Sequence, residues 1–382
     1  MKIKQAFFAI LAVFFILAIN SSTVAVNTRD IDAVLKKSVI DDQDKKVIDV
    51  FLSEAVTELV KTRDFTSIAK VRAVILSKKS TQSQYAQQFS ESAYTHIKAG
   101  FEQAQTLKTE ERTTNVNINL LILIDGMQDL RLTDLAMGML KDENMVIRYW
   151  AVHCLTNPAI VQQLNAGITS NNEPATTIAE QLKEVVESSK PEIIVHIARF
   201  AANINIPEGE QLLLQVADDR IKKYADWTVI HEFYDIILLK LLESKIPLSS
   251  QGMGIPLPTT SLSKPAIARR FAQLYSYTIQ RFIKGQDILN DTQKQHLSSV
   301  LIEIEEKCIS RLLGVPQVTI RRAIERDNMT ALSDEHNRLL GDETSTGQLP
   351  SKFGFDYSTT PNGPKRTAPI PLPERPQKPV TE

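Results

Sequence analysis

Residues 41–62, DDQDKKVIDVFLSEAVTELVKT, decide how the chain is read. Ile48, Phe51, Leu52, Ala55, Val56 and Leu59 recur at steps of three and four. That is the period of an α-helix with one apolar face. Asp41 and Asp42 stand at its start, where the positive end of the helix dipole favours acidic side chains. The same period returns along the chain. Over 83–104 the stripe is Tyr85, Phe89, Ala93, Ile97 and Phe101. Over 226–244 it is Trp227, Ile230, Tyr234, Ile237 and Leu241, widened by Phe233, Ile236 and Leu239, so this helix is expected to be central. A helix opened by Pro265 carries Ile267, Phe271, Leu274, Thr278 and Phe282 and runs to about Gly285. Another over 291–313 carries Leu297, Leu301, Ile304, Cys308 and Leu312, and Gly314 and Pro316 end it. Pro191 and Pro207 fit the first turn of a helix, where the missing N–H costs nothing.

Residues 115–124, NVNINLLILI, alternate as a strand would. No partner strand is visible elsewhere, and a lone strand cannot satisfy its backbone, so a buried helix is expected. The 13 glycines among 382 residues are few for an all-β chain rich in turns. The expected class is all-α. Formal net charge is −1, which gives no reason to expect nucleic acid, a partner that asks for a basic face.

The first 25 residues read as a secretory signal peptide. Lys2 and Lys4 precede an apolar run over 6–19, and small or polar residues follow to Ala25, with Thr23 at the −3 position. Fourteen apolar residues fall short of the roughly 20 that span a bilayer. The rival reading is an uncleaved anchor, lengthened by Val24 and Val26. An exported compartment permits disulfides, but Cys154 and Cys308 both sit on apolar helix faces and read as small buried hydrophobes. The remaining organisation is a helical region over 26–245, a Pro/Gly/Ser linker over 246–264, a second helical region over 265–327 and a tail over 328–382. From Thr344 onward eight prolines replace apolar periodicity. The tail is therefore expected to be disordered, with polyproline II character near Pro369 to Pro379.

One hairpin carries a family pattern. Leu135 to Leu140 reads as the end of a first helix and Lys141-Asp142-Glu143-Asn144 as a turn; Ile147-Arg148, Ala151 and Leu155 read as a second helix. Ile147, Ala151 and Leu155 share an inner face, and Ala151 is small where helices approach. The hairpin resembles a HEAT repeat. A weaker likeness follows at Lys190-Pro191-Glu192-Ile193-Ile194 with Ile197, Ala198 and Ala201, without the arginine. The resemblance implies an irregular HEAT-like α-solenoid, with Arg148 reaching a turn acid such as Asp142. A compact helical bundle is the alternative architecture.

No catalytic, cofactor-binding or metal-ligating constellation emerges. His231-Glu232-Phe233-Tyr234-Asp235 approaches the two-histidine metal motif but has Asp where the second His belongs. The six histidines, 96, 153, 196, 231, 296 and 336, fall on different elements. His153 and Cys154 are adjacent, and neighbours on a helix point about 100° apart, so they do not pair directly. Gly252-Met253-Gly254 lacks the strand and helix of a phosphate loop. Glu303, Glu305 and Glu306 share a helix with Lys307 and Arg311 and read as a solvated face. Arg269-Arg270 and Arg321-Arg322 read as surface pairs, and Asn290 and Asn328 head glycosylation sequons. The expected function is a non-enzymatic exported scaffold for a protein or peptide partner, with membrane contact only if the N-terminal segment stays uncleaved. The alternatives are an exported enzyme whose site is assembled from dispersed residues, and a membrane-anchored envelope structural protein. Pro373-Glu374-Arg375-Pro376 and Pro376-Gln377-Lys378-Pro379 read as a spacer, or as a motif for a partner's aromatic groove.

Overall fold

The structure is a computed structural model that describes residues 26–168, 171–246, 264–358 and 363–375. The signal segment, nearly all of the linker and the tail beyond 375 lie outside these residues. Among the described residues the fold is all-α, with no strand and one isolated bridge between Gly341 and Thr346. No helix among them is long and apolar enough to cross a membrane. The chain divides into two compact units, one of residues up to 138 together with 144–150, the other of 139–143 together with 151 onward.

The first unit contains α1 (Arg29–Val34), α2 (Asp42–Lys61), α3 (Phe65–Ser77), α4 (Ser83–Gln105), α5 (Glu110–Met127), a 3-10 turn Leu130–Leu132 and α6 (Thr133–Met137). Asp41 caps α2 in a reciprocal capping box with Asp44. Its six stripe residues are all buried, as are the five of α4. The alternating stretch is helical within α5, as expected, and buries Val116, Leu120, Leu121, Leu123 and Ile124. Consecutive helices pack as pairs, α2 with α3 and α4 with α5; α2 also packs on α4, and α3 on α5. The α2–α4–α5 approach is close at Gly100, where an added Cβ would lie 3.0 Å from Val56 and 3.3 Å from Leu120.

Helix α7 (Met145–Leu155) carries residues of both units. Its Ile147, Ala151 and Leu155 are buried, as the repeat-like spacing requires. The second unit continues with α8 (Pro158–Gly167), α9 (Glu173–Val185), α10 (Pro191–Asn203), α11 (Pro207–Ala225), a 3-10 turn Glu232–Tyr234, α12 (Asp235–Ser244) and α13 (Lys264–Lys284). Then come α14 (Asp291–Ile304), a π-helical turn Glu305–Ile309, α15 (Ser310–Leu313), α16 (Thr319–Glu325), α17 (Met329–Leu340) and α18 (Gln348–Phe353). Pro191 and Pro207 stand in first turns, and Gly314 closes α15 with φ 79°. Two layers alternate. Helices α8, α10, α12 and α14 pack in succession, and so do α9, α11 and α13.

Three expectations are corrected. The helix over 226–244 is broken: α11 ends at Ala225, and Trp227 and His231 adopt φ 57° and 55° before α12 begins at Asp235. Its buried apolar set is Ile236, Leu238, Leu239 and Leu242, so of the expected stripe only the widening residues Ile236 and Leu239 are buried, while Ile230 and Phe233 are exposed. The central helix is α13, buried along the unbroken run from Phe271 to Ile279. The expected tail over 328–382 is ordered through its described part. Helices α17 and α18 bury Leu332, Leu339, Leu340 and Leu349. Between them Asp342 accepts hydrogen bonds from Thr344 and Ser345 in a tight turn, which holds its carboxyl down to about 2. The expected solvated face at Glu303, Glu305 and Glu306 is interrupted, because Glu305 is fully buried.

Candidate functional site: a peptide-holding helix face

On α13, Gln273 and Gln280 are two turns apart and Lys284 one turn further, so all three line one stripe. Residues 363–375 lie across it as a strap. The Gln273 amide donates to the carbonyl of Ile370 at 3.0 Å and accepts that residue's N–H at 2.8 Å. Gln280 Oε1 accepts the Leu372 N–H at 2.6 Å, and Lys284 Nζ donates to the Leu372 carbonyl at 2.8 Å and pairs with Glu374 at 2.7 Å. Trp227, from the loop before α12, donates its indole N–H to the carbonyl of Pro373 at 2.8 Å. Five of these six contacts therefore engage main chain. The strap's buried residues are Pro369 and Leu372, three positions apart, which is one turn of polyproline II. Prolines at 369, 371 and 373 have no N–H, and the two donors left between them, at 370 and 372, are both taken. The strap is anchored upstream, where Thr367 Oγ1 donates to the Asp342 carbonyl and Tyr357 N–H to that of Arg366.

A buried ionic core fixes the loop that carries Trp227. Arg220 of α11 makes a forked pair with Asp235, Nε to Oδ1 at 2.6 Å and Nη2 to Oδ2 at 3.0 Å, and the Tyr224 hydroxyl donates to the same carboxylate at 2.6 Å. Burial opposes the Arg220 charge, and the adjacent Asp235 overrides it, holding the guanidinium protonated above its ordinary range. Arg281 of α13 pairs with Glu232 at 3.1 Å, donates to the Val229 carbonyl, and lies 5.3 Å from the Trp227 ring centroid and 5.8 Å from that of Tyr224. All four charged side chains are buried. The near-motif His231-Glu232-Phe233-Tyr234-Asp235 is thus accounted for. Both its carboxylates serve arginines, and His231 is exposed.

The acidic trio is not one solvated face. Glu305 is fully buried in the π-helical turn, and its carboxylate accepts the N–H groups of Ile320 and Arg321 at 2.7 and 2.8 Å, at the start of α16. Burial pushes its pKa up, against the lowering effect of those N–H bonds. Glu303 pairs with Lys240, Glu306 with Arg321, and Arg311 with the buried Glu243. Of the arginine pairs, Arg269 donates to the Ser358 carbonyl and Arg270 forks onto Asp218. Asn290 and Asn328 are helix N-caps of α14 and α17. No disulfide joins Cys154 and Cys308; both are buried, and burial pushes the Cys308 thiol up to about 12.

Two histidines from separate elements do come together. The His153 and His196 rings lie 5.0 Å apart in a groove of about 560 Å³, which Arg199, Asn157 and Asn165 also line. The other histidines stay apart: His96 bonds Asp49 at 2.9 Å, His336 bonds Ser276 at 2.8 Å, and His296 lies beside Phe233. Among the described residues no group of three His, Cys, Asp or Glu side chains could hold a metal ion. Comparison of the chain with protein-family models, with curated proteins and with solved structures finds no match.

Proposed function

We propose that the chain is an exported, non-enzymatic scaffold of HEAT-like stacked hairpins that holds protein partners through extended segments. The observation that carries the reading is the α13 stripe, where Gln273, Gln280 and Lys284 grip a proline-rich segment by its main chain. Side chains that pair with main-chain N–H and C=O groups hold a segment by atoms every residue carries, so they hold extended polypeptide with little regard to its sequence. The solenoid reading is supported by the alternating layers, since packing of each helix on the next but one is how stacked repeat hairpins bury their faces. Export rests on the charged and apolar pattern of the first 25 residues. Crosslinking capture from the native envelope tests the reading. A specific protein retained by the chain supports a scaffold, and consistent recovery of nothing removes it.

The second reading is an enzyme with a dispersed site. It is favoured by one observation, the convergence of His153, His196 and Arg199 in a groove. Hydrolase and transferase screens in which His153→Ala abolishes a turnover would establish it.

A further inference from the structure

We propose that the α13 face is a docking site for an extended, proline-punctuated segment supplied by a partner protein, and that residues 368–374 occupy it in cis as a displaceable stand-in. The inference rests on the scaffold reading above and names the partner's chemistry and its control.

The face demands an extended chain. Gln273 is 5% exposed, and both polar atoms of its amide are bonded to Ile370. A segment that covered this amide without pairing both atoms would leave a buried polar group unsatisfied, which is unfavourable. The ligand is read mainly through its backbone. Ile370 N–H and carbonyl, Leu372 N–H and carbonyl, and the Pro373 carbonyl are the atoms held. Any segment can supply such atoms if prolines hold it extended and leave its donors at alternate positions. Side-chain selection is confined to an apolar pair three residues apart, as Pro369 and Leu372 provide, and to an acid beside Lys284, as Glu374 provides. The preferred partner is therefore a proline-rich segment carrying an apolar residue followed two positions later by an acid.

The strap is built to let go. Only two of its side chains between 368 and 374 are buried, its acid is exposed, and a hold made of polar side chains buries little apolar surface. Trp227, which holds Pro373, has a left-handed backbone that a bulky residue seldom adopts. Such strain points to a functional constraint. Tethering gives the strap an effective concentration of about millimolar, so a separate peptide competes poorly until the strap is weakened or the partner is itself held nearby.

The test uses the full-length chain and a fluorescein-labelled peptide of residues 366–375. Leu372→Asp in the chain removes the strap's buried anchor and leaves the face intact. The expected result is weak anisotropy change with wild type and at least about tenfold tighter binding with Leu372→Asp. That gain should vanish when Gln273→Ala is added, or when the peptide is N-methylated at the positions of Ile370 and Leu372. Equal affinity for wild type and Leu372→Asp would overturn the masking. A folded Leu372→Asp chain that binds no peptide would overturn the docking site while leaving capture of partners elsewhere on the scaffold untouched. Should Leu372→Asp not fold, hydrogen exchange of wild type decides. The Ile370 and Leu372 amides should exchange by local opening, at least about a hundredfold faster than the amides of Phe271 to Ile279. Exchange as slow as that core would make the strap a permanent part of the fold and overturn the proposal.

Discussion

At the scale of single residues, the charges that matter most are the ones with no solvent. Asp235 neutralises Arg220 and accepts from Tyr224, so Asp235→Ala leaves a buried cation and a buried hydroxyl without their partner. The expected loss is about 3–5 kcal/mol, read from urea unfolding. Replacing Arg220, Asp235 and Tyr224 together by Met, Leu and Phe should recover most of it, because the unpaired charge rather than the missing pair is what destabilises. A loss below about 1 kcal/mol for Asp235→Ala would mean that water reaches the site. A second residue sets a pH dependence. Burial lowers the His336 pKa, with the Asn337 hydrogen bond opposing. The unfolded chain therefore binds this proton more readily than the folded one. The stability that the neutral ring confers is present above the ordinary histidine value of about 6.5 and is lost as pH falls through the lower folded value. The urea midpoint of wild type minus that of His336→Gln should fall as pH drops from about 7.5 to 5. A difference independent of pH would remove His336 as the cause.

At the scale of elements, local patterns were legible and long-range ones were not. Helices α2 and α4 could be read because their stripes repeat within one segment and need no knowledge of the partner. Over 226–244 hydrophobicity alone suggests one helix, and the chain breaks it before Asp235. What breaks it is a pair of acids, Glu232 and Asp235, drawn to Arg281 and Arg220 on other helices. Glu305 departs from its local pattern for a related reason. A π-helical turn shifts the register by one residue, so a carboxylate placed on the wet side by a regular helix turns inward to α16. Glu305→Ala should cost about 1–3 kcal/mol by orphaning two N–H groups, with Glu305→Gln, which keeps an acceptor, costing less. Equal losses in the two variants would show that the amide cannot replace the carboxylate. The folded pKa of Glu305 lies above its unfolded value. Its protonated form thus favours folding below about 4.5, and that contribution is lost as pH rises through the folded value. Helix contact explains one glycine. Gly100→Val forces a side chain between α4 and its neighbours Val56 and Leu120, and thermal unfolding should report a loss of about 1–3 kcal/mol. An unchanged melting temperature would mean that the helices separate at little cost.

At the scale of the whole molecule, the tail shows where composition stops being informative. Eight prolines and little periodicity suggest disorder, because such a segment cannot build a core of its own. The strap does not build one. It borrows donors and acceptors from Gln273, Gln280 and Lys284, about a hundred residues earlier, and no local pattern announces that match. The meeting of His153 and His196 is hidden in the same way, since separate helices supply them. The central claim is that the helical body receives extended segments of other proteins on the α13 face. The most direct measurement places a photo-crosslinking amino acid at exposed position 228, beside Trp227, in the Leu372→Asp chain, irradiates it in native cells and sequences what is joined. The account predicts a defined adduct to a second polypeptide through a proline-rich, extended segment, much reduced in the chain with an intact strap. Adducts confined to the chain's own residues 368–375, in both versions, would contradict it.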